Sequence, residues 1–442
     1  MKKVLLSILT VACMSSVVTA QQGQSTGNQT RMQRTCGSGV LPDEYEQWLQ
    51  PLIQKQMEER ANAKGSGVQT VYTIPIVFHV IHNGSNVGVS YNISDAQVLS
   101  QLAVLNEDYR RLNADTTNTP SVFAGAAADC EIQFCMAQRD PSGNTTTGIN
   151  RVNRNTLGFT APPYTQSYID ATIKPATIWN TNNYLNIWVV PDYTTSGFQL
   201  LGHATFPAGS GLSGLTGNFG NANTDGVVVW YRACGRVGQL DPSYNKGRTL
   251  THEVGHWLGL RHIWGDGTCA TDYCTDTPTQ QTSNFFCPTF PSTSSCSGNP
   301  PNGDQFMNYM DYCDDDCLNM FTENQKTRMV TVLSNAPMRV SQRNSIACTP
   351  VGLNENTATL NVNLYPNPAK DIIRVTIGQQ QGSSEVTFRI LNMLGAEVSS
   401  TIKSFNADGE YELDLTSISQ GFYFVEINND FGKKLVKFQI SR

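Results

Sequence analysis

Charge is scarce in this chain: Asp, Glu, Lys and Arg make up only 15% of its 442 residues, and 30 basic side chains are outnumbered by 36 acidic ones. A net charge of −6 excludes a dedicated nucleic-acid binder, which needs a basic stripe. Sparse charge combined with 36 Gly and 20 Pro also excludes a coiled coil or a helical array. There is no internal repeat of solenoid length. Beyond residue 20 no stretch approaches the roughly eighteen apolar residues of a membrane-spanning helix. What remains is a loop-rich globular protein, and at about 100–200 residues per domain it has room for two or three domains.

Residues 1–20 read as a secretory signal peptide. Lys2 and Lys3 form a basic start, Val4 to Ala12 an apolar stretch, and Val18-Thr19-Ala20 a small-residue cleavage site. Cys13 raises the question of a lipid anchor, but Thr10 stands where an acylation motif wants an aliphatic residue. The mature protein is therefore expected outside the cytoplasm, secreted or at the cell surface after passage through the periplasm. Of the 12 cysteines, Cys13 leaves with the signal, and an odd number remains for an oxidising compartment. Cys36 is the isolated one and reads as a free thiol, with a disulfide to Cys234 or Cys348 as the alternative. The pairings of Cys130, Cys135, Cys234 and Cys348 are open at this level.

The rest divides into a polar segment at 21–65 with one short helical stretch around Asp43 to Arg60, a main domain at 66–348, a polar linker at 349–358, and a cysteine-free region at 359–442. In the main domain the pattern is α+β. Ile74 to Ile81 is an unbroken apolar run that predicts a buried strand, and Tyr184 to Val190 and Gly226 to Tyr231 predict two more. A capping box at Ser94 to Gln97 opens a helix carrying Val98, Leu102, Leu105 and Tyr109 at helical spacing. Helices are also predicted over Arg248 to Leu260 and, with Thr322 and Gln325 as a capping box, over Thr322 to Leu333. The last region alternates apolar and polar residues between evenly spaced turns, the pattern of a small β-sandwich of about seven strands.

The chemistry is written on the Arg248 to Leu260 helix. His252-Glu253-Val254-Gly255-His256-Trp257-Leu258-Gly259-Leu260-Arg261-His262 is an HExxHxxGxxH motif. His252 and His256 are one turn apart on one face and can share a Zn2+. Gly259 lets the chain leave the helix through a left-handed turn, bringing His262 round as third ligand. Three protein ligands leave a position for water, and Glu253 stands beside them as the base.

The eleven-residue motif identifies the chain as a member of the metzincin clan of metallopeptidases. Asn308-Tyr309-Met310-Asp311-Tyr312 is similar to the clan's Met-turn, with Met310 (in preference to Met307) as the hydrophobic floor and Tyr312 as the tyrosine that supports the reaction intermediate. With Asp276-Thr277-Pro278 and Met310-Asp311-Tyr312-Cys313-Asp314-Asp315-Asp316-Cys317, residues 70 to 345 resemble the pappalysin family. The resemblance implies a two-lobed zinc endopeptidase in which Leu201 to Pro207 lies near the sheet edge that binds extended substrate. His203 is then a cleft or surface residue rather than a fourth ligand. It further implies disulfides Cys269–Cys296 and Cys287–Cys317, leaving Cys274 and Cys313 free to pair, with Cys269 and Cys274 able to exchange roles. Asp266, Asp272, Asp276 and Thr277 offer hard oxygen ligands that suit Ca2+, as in similar pappalysins; a solvated acidic loop is the other reading. Asp315 matches the family's acidic residue that selects Arg or Lys after the scissile bond. A surface charge run, or further calcium ligands, is the bland alternative.

Arg34-Thr35-Cys36-Gly37 resembles the family's cysteine-switch propeptides, in which a thiolate fills the open zinc position. Residues 21–65 would then be a propeptide, removed by cleavage near Arg60 or Lys64. Leu364-Tyr365-Pro366-Asn367-Pro368, Leu391-Asn392-Met393-Leu394-Gly395 and the terminal Gly421 to Ile440 resemble the type A C-terminal sorting domain of the type IX secretion system of Bacteroidetes. The expectation is thus a monomeric, secreted zinc metalloendopeptidase acting on proteins or peptides and handled by that secretion machinery. The alternative from another class is a non-proteolytic zinc-binding adhesin, which would have no use for Glu253.

Overall fold

A computed structural model describes residues 32–62, 71–195, 197–209, 218–299, 301–351, 362–378, 385–392, 396–404, 409–429 and 432–442. Residues 1–20, Lys64 and most of the segment 349–358 lie outside the described residues.

The polar N-terminal segment forms helix α1 (Asp43–Asn62). Tyr45 and Leu49 of this helix, with Leu41 just before it, close a cluster with Phe206, Val332 and Ala336. The segment therefore has packing that its polar composition conceals.

Next comes the central strand β1 (Tyr72–His82), buried along almost its whole length. Helix α2 (Asp95–Tyr109) follows, capped by the Ser94 side chain on the Gln97 N–H. Strands β2 (Ile132–Met136), β3 (Ile149–Asn153), β4 (Leu185–Val190), β5 (Gly202–Ala204) and β6 (Val227–Trp230) complete a six-stranded sheet. Its order is β2–β1–β4–β6–β5, with β3 joining β1 beyond β2. All neighbours are parallel except β5, which runs antiparallel to β6. Parallel strands covered on both faces are largely apolar, which explains the long apolar runs in β1, β4 and β6, where buried His79 and Asn186 satisfy each other at 2.9 Å.

Helix α3 (Arg248–Trp257) is buried at every position and lies against the sheet and α2, where the Tyr109 hydroxyl donates to the Thr251 carbonyl. It ends three residues before the expected Leu260, because Gly259 takes φ +88° and turns the chain away. Helices α4 (Glu323–Asn335), with its Thr322–Gln325 capping box, and α5 (Pro337–Arg343) close the domain. A fully buried Arg339–Asp225 pair ties α5 back to the end of α3, with Arg339 Nε donating to the Trp257 carbonyl. A disulfide joins Cys135 in β2 to Cys348.

The C-terminal region has its own core of Ile373, Val375, Phe388, Ile390, Leu413, Val425 and Ile427. Strands β7 (Val362–Tyr365), β8 (Ile372–Ile377) and β11 (Glu410–Asp414) form one antiparallel sheet in the order β7–β8–β11. Strands β10 (Glu397–Ser404), β9 (Glu385–Asn392), β12 (Gly421–Asn429) and β13 (Gly432–Ile440) form the other, in that order.

Candidate active site

The N-terminus of α3 has no side-chain cap of its own, and Gly247 enters it at φ +76°. The carboxylate of Asp315 supplies the acceptor from across the cleft, taking the N–H groups of Lys246 at 2.8 Å and Arg248 at 3.2 Å on Oδ2. One turn on, Thr251 donates to Asp108 of α2 at 2.8 Å, and the same carboxylate accepts the Tyr309 hydroxyl at 2.8 Å. The zinc helix and the Met-turn are thereby tied to one buried anion.

Each imidazole of the motif is fixed through Nδ1. His252 bonds the Tyr309 carbonyl at 2.7 Å, His256 the Leu260 carbonyl at 2.9 Å, and His262 the Asp266 carboxylate. Burial, then mutual repulsion, holds His252 and His256 well below the ordinary imidazole range, with His256 at about 3, so both rings are neutral. With Nδ1 donating, each Nε2 carries a lone pair, and His256 Nε2 lies 3.1 Å from the Nε2 atoms of both His252 and His262. Three buried acceptors aimed at one point cannot satisfy one another, and this donor set fits a tetrahedral divalent cation. Cys36 Sγ joins the three histidines as the one group of such ligands among the described residues, all ligand atoms lying within 4.8 Å.

Glu253 sits beside this group, its carboxyl pushed up to about 7 by burial against hydrogen bonds from Ser38 and Cys36. Gly202 in β5 lets it in, since a Cβ there would lie 2.5 Å from Glu253 Cγ. Under α3, Met310 packs against Gly255, its sulfur 2.5 Å from where an added Cβ would stand. The Tyr312 ring lies 5.0 Å from that of His262 and 5.8 Å from that of His252. Trp264 stacks on His262 at 4.4 Å, a packing partner that the motif does not announce.

Residues 34–38 run across these groups as an extra strand. Cys36 bridges Gly202 in parallel fashion, with Leu201 N–H donating to the Thr35 carbonyl and Gly37 N–H to the Gly202 carbonyl. Arg34 points into a buried pocket, where it donates to Asp315 Oδ1 at 2.7 Å, to the Cys313 carbonyl at 3.1 Å and to the Thr249 hydroxyl at 3.2 Å. Ser38 Oγ donates to Glu253 Oε2 at 2.8 Å and Cys36 Sγ lies 3.4 Å from the same oxygen. Arg34 and Ser38 went unrecognised as partners of the site, although alternation from Cys36 along an extended segment would have placed both on its face.

Other residues fall differently from expectation. His203, in β5 beside Gly37, is not a surface residue: it is fully buried and bonds Asp170 at 3.1 Å, outside the imidazole group. Cys269–Cys296 and Cys287–Cys317 are bonded, but Cys274 and Cys313 are separate buried thiols, and Cys36 is free. The acidic residues do not gather as a ligand set. Asp266 orients His262, and Asp276 caps α4 through Thr322 Oγ1 and the Asn324 N–H. Asp272 accepts from Cys274 N–H and from Thr277 Oγ1, which also donates to the Cys274 carbonyl, while the other Asp272 oxygen is buried without a partner.

Comparison with known proteins agrees with this geometry. Residues 167–334 match the family described as pregnancy-associated plasma protein-A, and residues 363–441 match the secretion system C-terminal sorting domain. An extracellular metalloprotease of Colletotrichum graminicola is 31% identical over 301 residues, which cover 67% of this chain and 89% of that one. One from Arthroderma benhamiae is 28% identical over 312 residues, 69% of this chain and 92% of that one. Mature mirolysin of Tannerella forsythia, solved with a cleaved peptide, superposes with a TM-score of 0.54 at 44% identity, covering 62% of this chain and 97% of its own. A promirolysin mutant from the same organism gives 0.55 at 42% identity and covers 70% and 97%.

Fold and site thus define a metalloendopeptidase, and the adhesin alternative falls away. The chain belongs to the pappalysin family of metzincins, whose metal is zinc, and it ends in a type IX sorting domain that marks it as secreted. None of the described helices is long and apolar enough to cross a membrane.

Proposed function

We propose that the protein is made as a latent zinc endopeptidase that hydrolyses peptide bonds preceding Arg or Lys. The observation that carries this reading is the seat of residues 34–38: a guanidinium on Asp315, a thiol among the zinc histidines and a hydroxyl on Glu253. The wider overlap with promirolysin, 70% of this chain against 62% for the mature form, supports treating residues 21–65 as a propeptide.

His252, His256 and His262 would hold the zinc, which supplies Lewis acidity toward the scissile carbonyl and activates water for attack. Glu253 takes a proton from the attacking water and returns it to the leaving amine. Tyr312 donates its hydroxyl proton as a hydrogen bond to the carbonyl oxygen while negative charge develops there. The free edge of β5, covered by residues 35–37 in the precursor, binds the substrate backbone as an added strand. Asp315, Thr249 and the Cys313 carbonyl receive the guanidinium of the residue after the scissile bond.

Burial and the nearby Glu253 push the free Cys36 thiol well above its usual value, and a divalent cation acts in the opposite sense and favours the thiolate. Cys36→Ala should therefore give a precursor that matures early or is active uncut, raising activation by about tenfold or more. N-terminal sequencing and casein turnover during expression check this, and a variant as silent as wild type would remove the switch.

The sorting domain has a core of its own, so deletion of residues 359–442 should leave a folded enzyme retained in the periplasm. Cell fractionation reads the outcome, and release of the truncated form at normal yield would contradict the sorting role.

A further inference from the structure

Departure of the propeptide uncovers a second feature besides the cleft. Glu46 of α1 lies between two buried arginines, accepting from Arg261 Nε at 2.9 Å and Arg328 Nη1 at 2.7 Å. Only 4% of the Arg261 side chain and 1% of the Arg328 side chain are exposed. Both belong to the catalytic domain: Arg261 directly precedes the third zinc histidine, and Arg328 Nε is held on the Gly259 carbonyl at 2.6 Å. Asp266 and Asp272 are near enough to feel these charges, but they hydrogen-bond elsewhere. Beside the guanidinium pair, Phe206, Val332 and Ala336 form an apolar floor covered by Tyr45 and Leu49. The Phe206 ring touches His256 at 5.5 Å, so this floor adjoins the zinc site. Along residues 34–49 the chain passes from the Asp315 pocket over the histidines to this surface, which therefore lies on the side of residues preceding the scissile bond.

We propose that the surface vacated by α1 is a substrate subsite that takes an acidic side chain between Arg261 and Arg328, with an aromatic or aliphatic side chain against Phe206 and Val332. The inference rests on the propeptide reading above. Two guanidiniums stripped of their carboxylate offer a planar, bidentate anion seat, and the floor beside them supplies area for an apolar neighbour. Glu46 with Tyr45 is the arrangement of this chain itself, a template for what the mature enzyme selects.

The test uses the mature enzyme and peptides that all carry Arg after the scissile bond. Glu or Gln, next to Leu or Tyr, is scanned over about two to eight preceding positions, the reach of a chain at 3.3 Å per residue. At the best position Glu should raise kcat/KM by about tenfold over Gln, mainly through KM. In Arg261→Met this ratio should fall to near one, whatever happens to the absolute rate. A synthetic peptide spanning Leu41 to Gln50 should inhibit the wild-type enzyme, and its Glu46→Gln form should do so about tenfold less well, a measurement independent of any folding defect. Equal rates for Glu and Gln at every position, on an enzyme that still requires Arg, would overturn the subsite and leave the proteolytic reading intact. An active enzyme whose N-terminus still contains Glu46 would overturn it through the propeptide reading instead.

Discussion

Glu253→Ala, processed in trans by an added protease, is expected to keep its zinc and lose proteolysis by on the order of 10³- to 10⁴-fold. The separation of the two properties follows from the geometry. All three imidazoles are fixed through Nδ1 by Tyr309, Leu260 and Asp266, and none of them leans on Glu253. The carboxylate instead approaches Gly202 at a distance that admits no side chain there, which aims it at the space beside the histidines. Metal analysis and kcat/KM on one peptide read both properties, and a variant that cleaves at near wild-type rate would remove Glu253 from the mechanism.

Substitution of Asp315 should separate selectivity from folding. Asp315→Asn keeps one oxygen acceptor for the Lys246 and Arg248 N–H groups but removes the charge opposite a guanidinium. The preference for Arg or Lys should drop by roughly ten- to a hundredfold, the loss of one charge-assisted contact in a buried pocket. Asp315→Ala should lose the same preference and also melt at lower temperature, because the N-terminus of α3 then has no acceptor. Cleavage-site profiling by mass spectrometry with a thermal melt distinguishes the two. An enzyme without basic preference to begin with, or one that keeps it in both variants, would sink the assignment.

The parts legible in the sequence are those whose chemistry is local. The zinc helix shows because His252, Glu253, His256, Gly259 and His262 lie within eleven positions, and the buried strands show because β1, β4 and β6 are mainly apolar, with His79 and Asn186 as buried polar exceptions. Strands β2 and β3 escaped notice: IQFCM and INRVN are short and half-buried, and they are fixed by parallel pairing to a strand far off in sequence. The polar segment misled for a similar reason. Leu41, Tyr45 and Leu49 are too few to suggest a core until Phe206 and Val332 are brought to them. His203 went astray because its partner, Asp170, is supplied from another element. The capping role of Asp315 stayed hidden, since nothing in a run of three aspartates reveals which carboxylate reaches a helix N-terminus.

The Cys135–Cys348 disulfide has a mechanical consequence. It sits at the last residues of the catalytic domain, where Gln138 also holds the Cys348 carbonyl and Arg139 those of Thr349 and Pro350. A pull on the chain beyond Pro350, whether by a translocation motor or by a tethered surface under flow, enters β2 and spreads through its hydrogen-bonded ladder to β1. The disulfide thus carries part of such a load into the sheet instead of leaving all of it to the backbone that runs through α5.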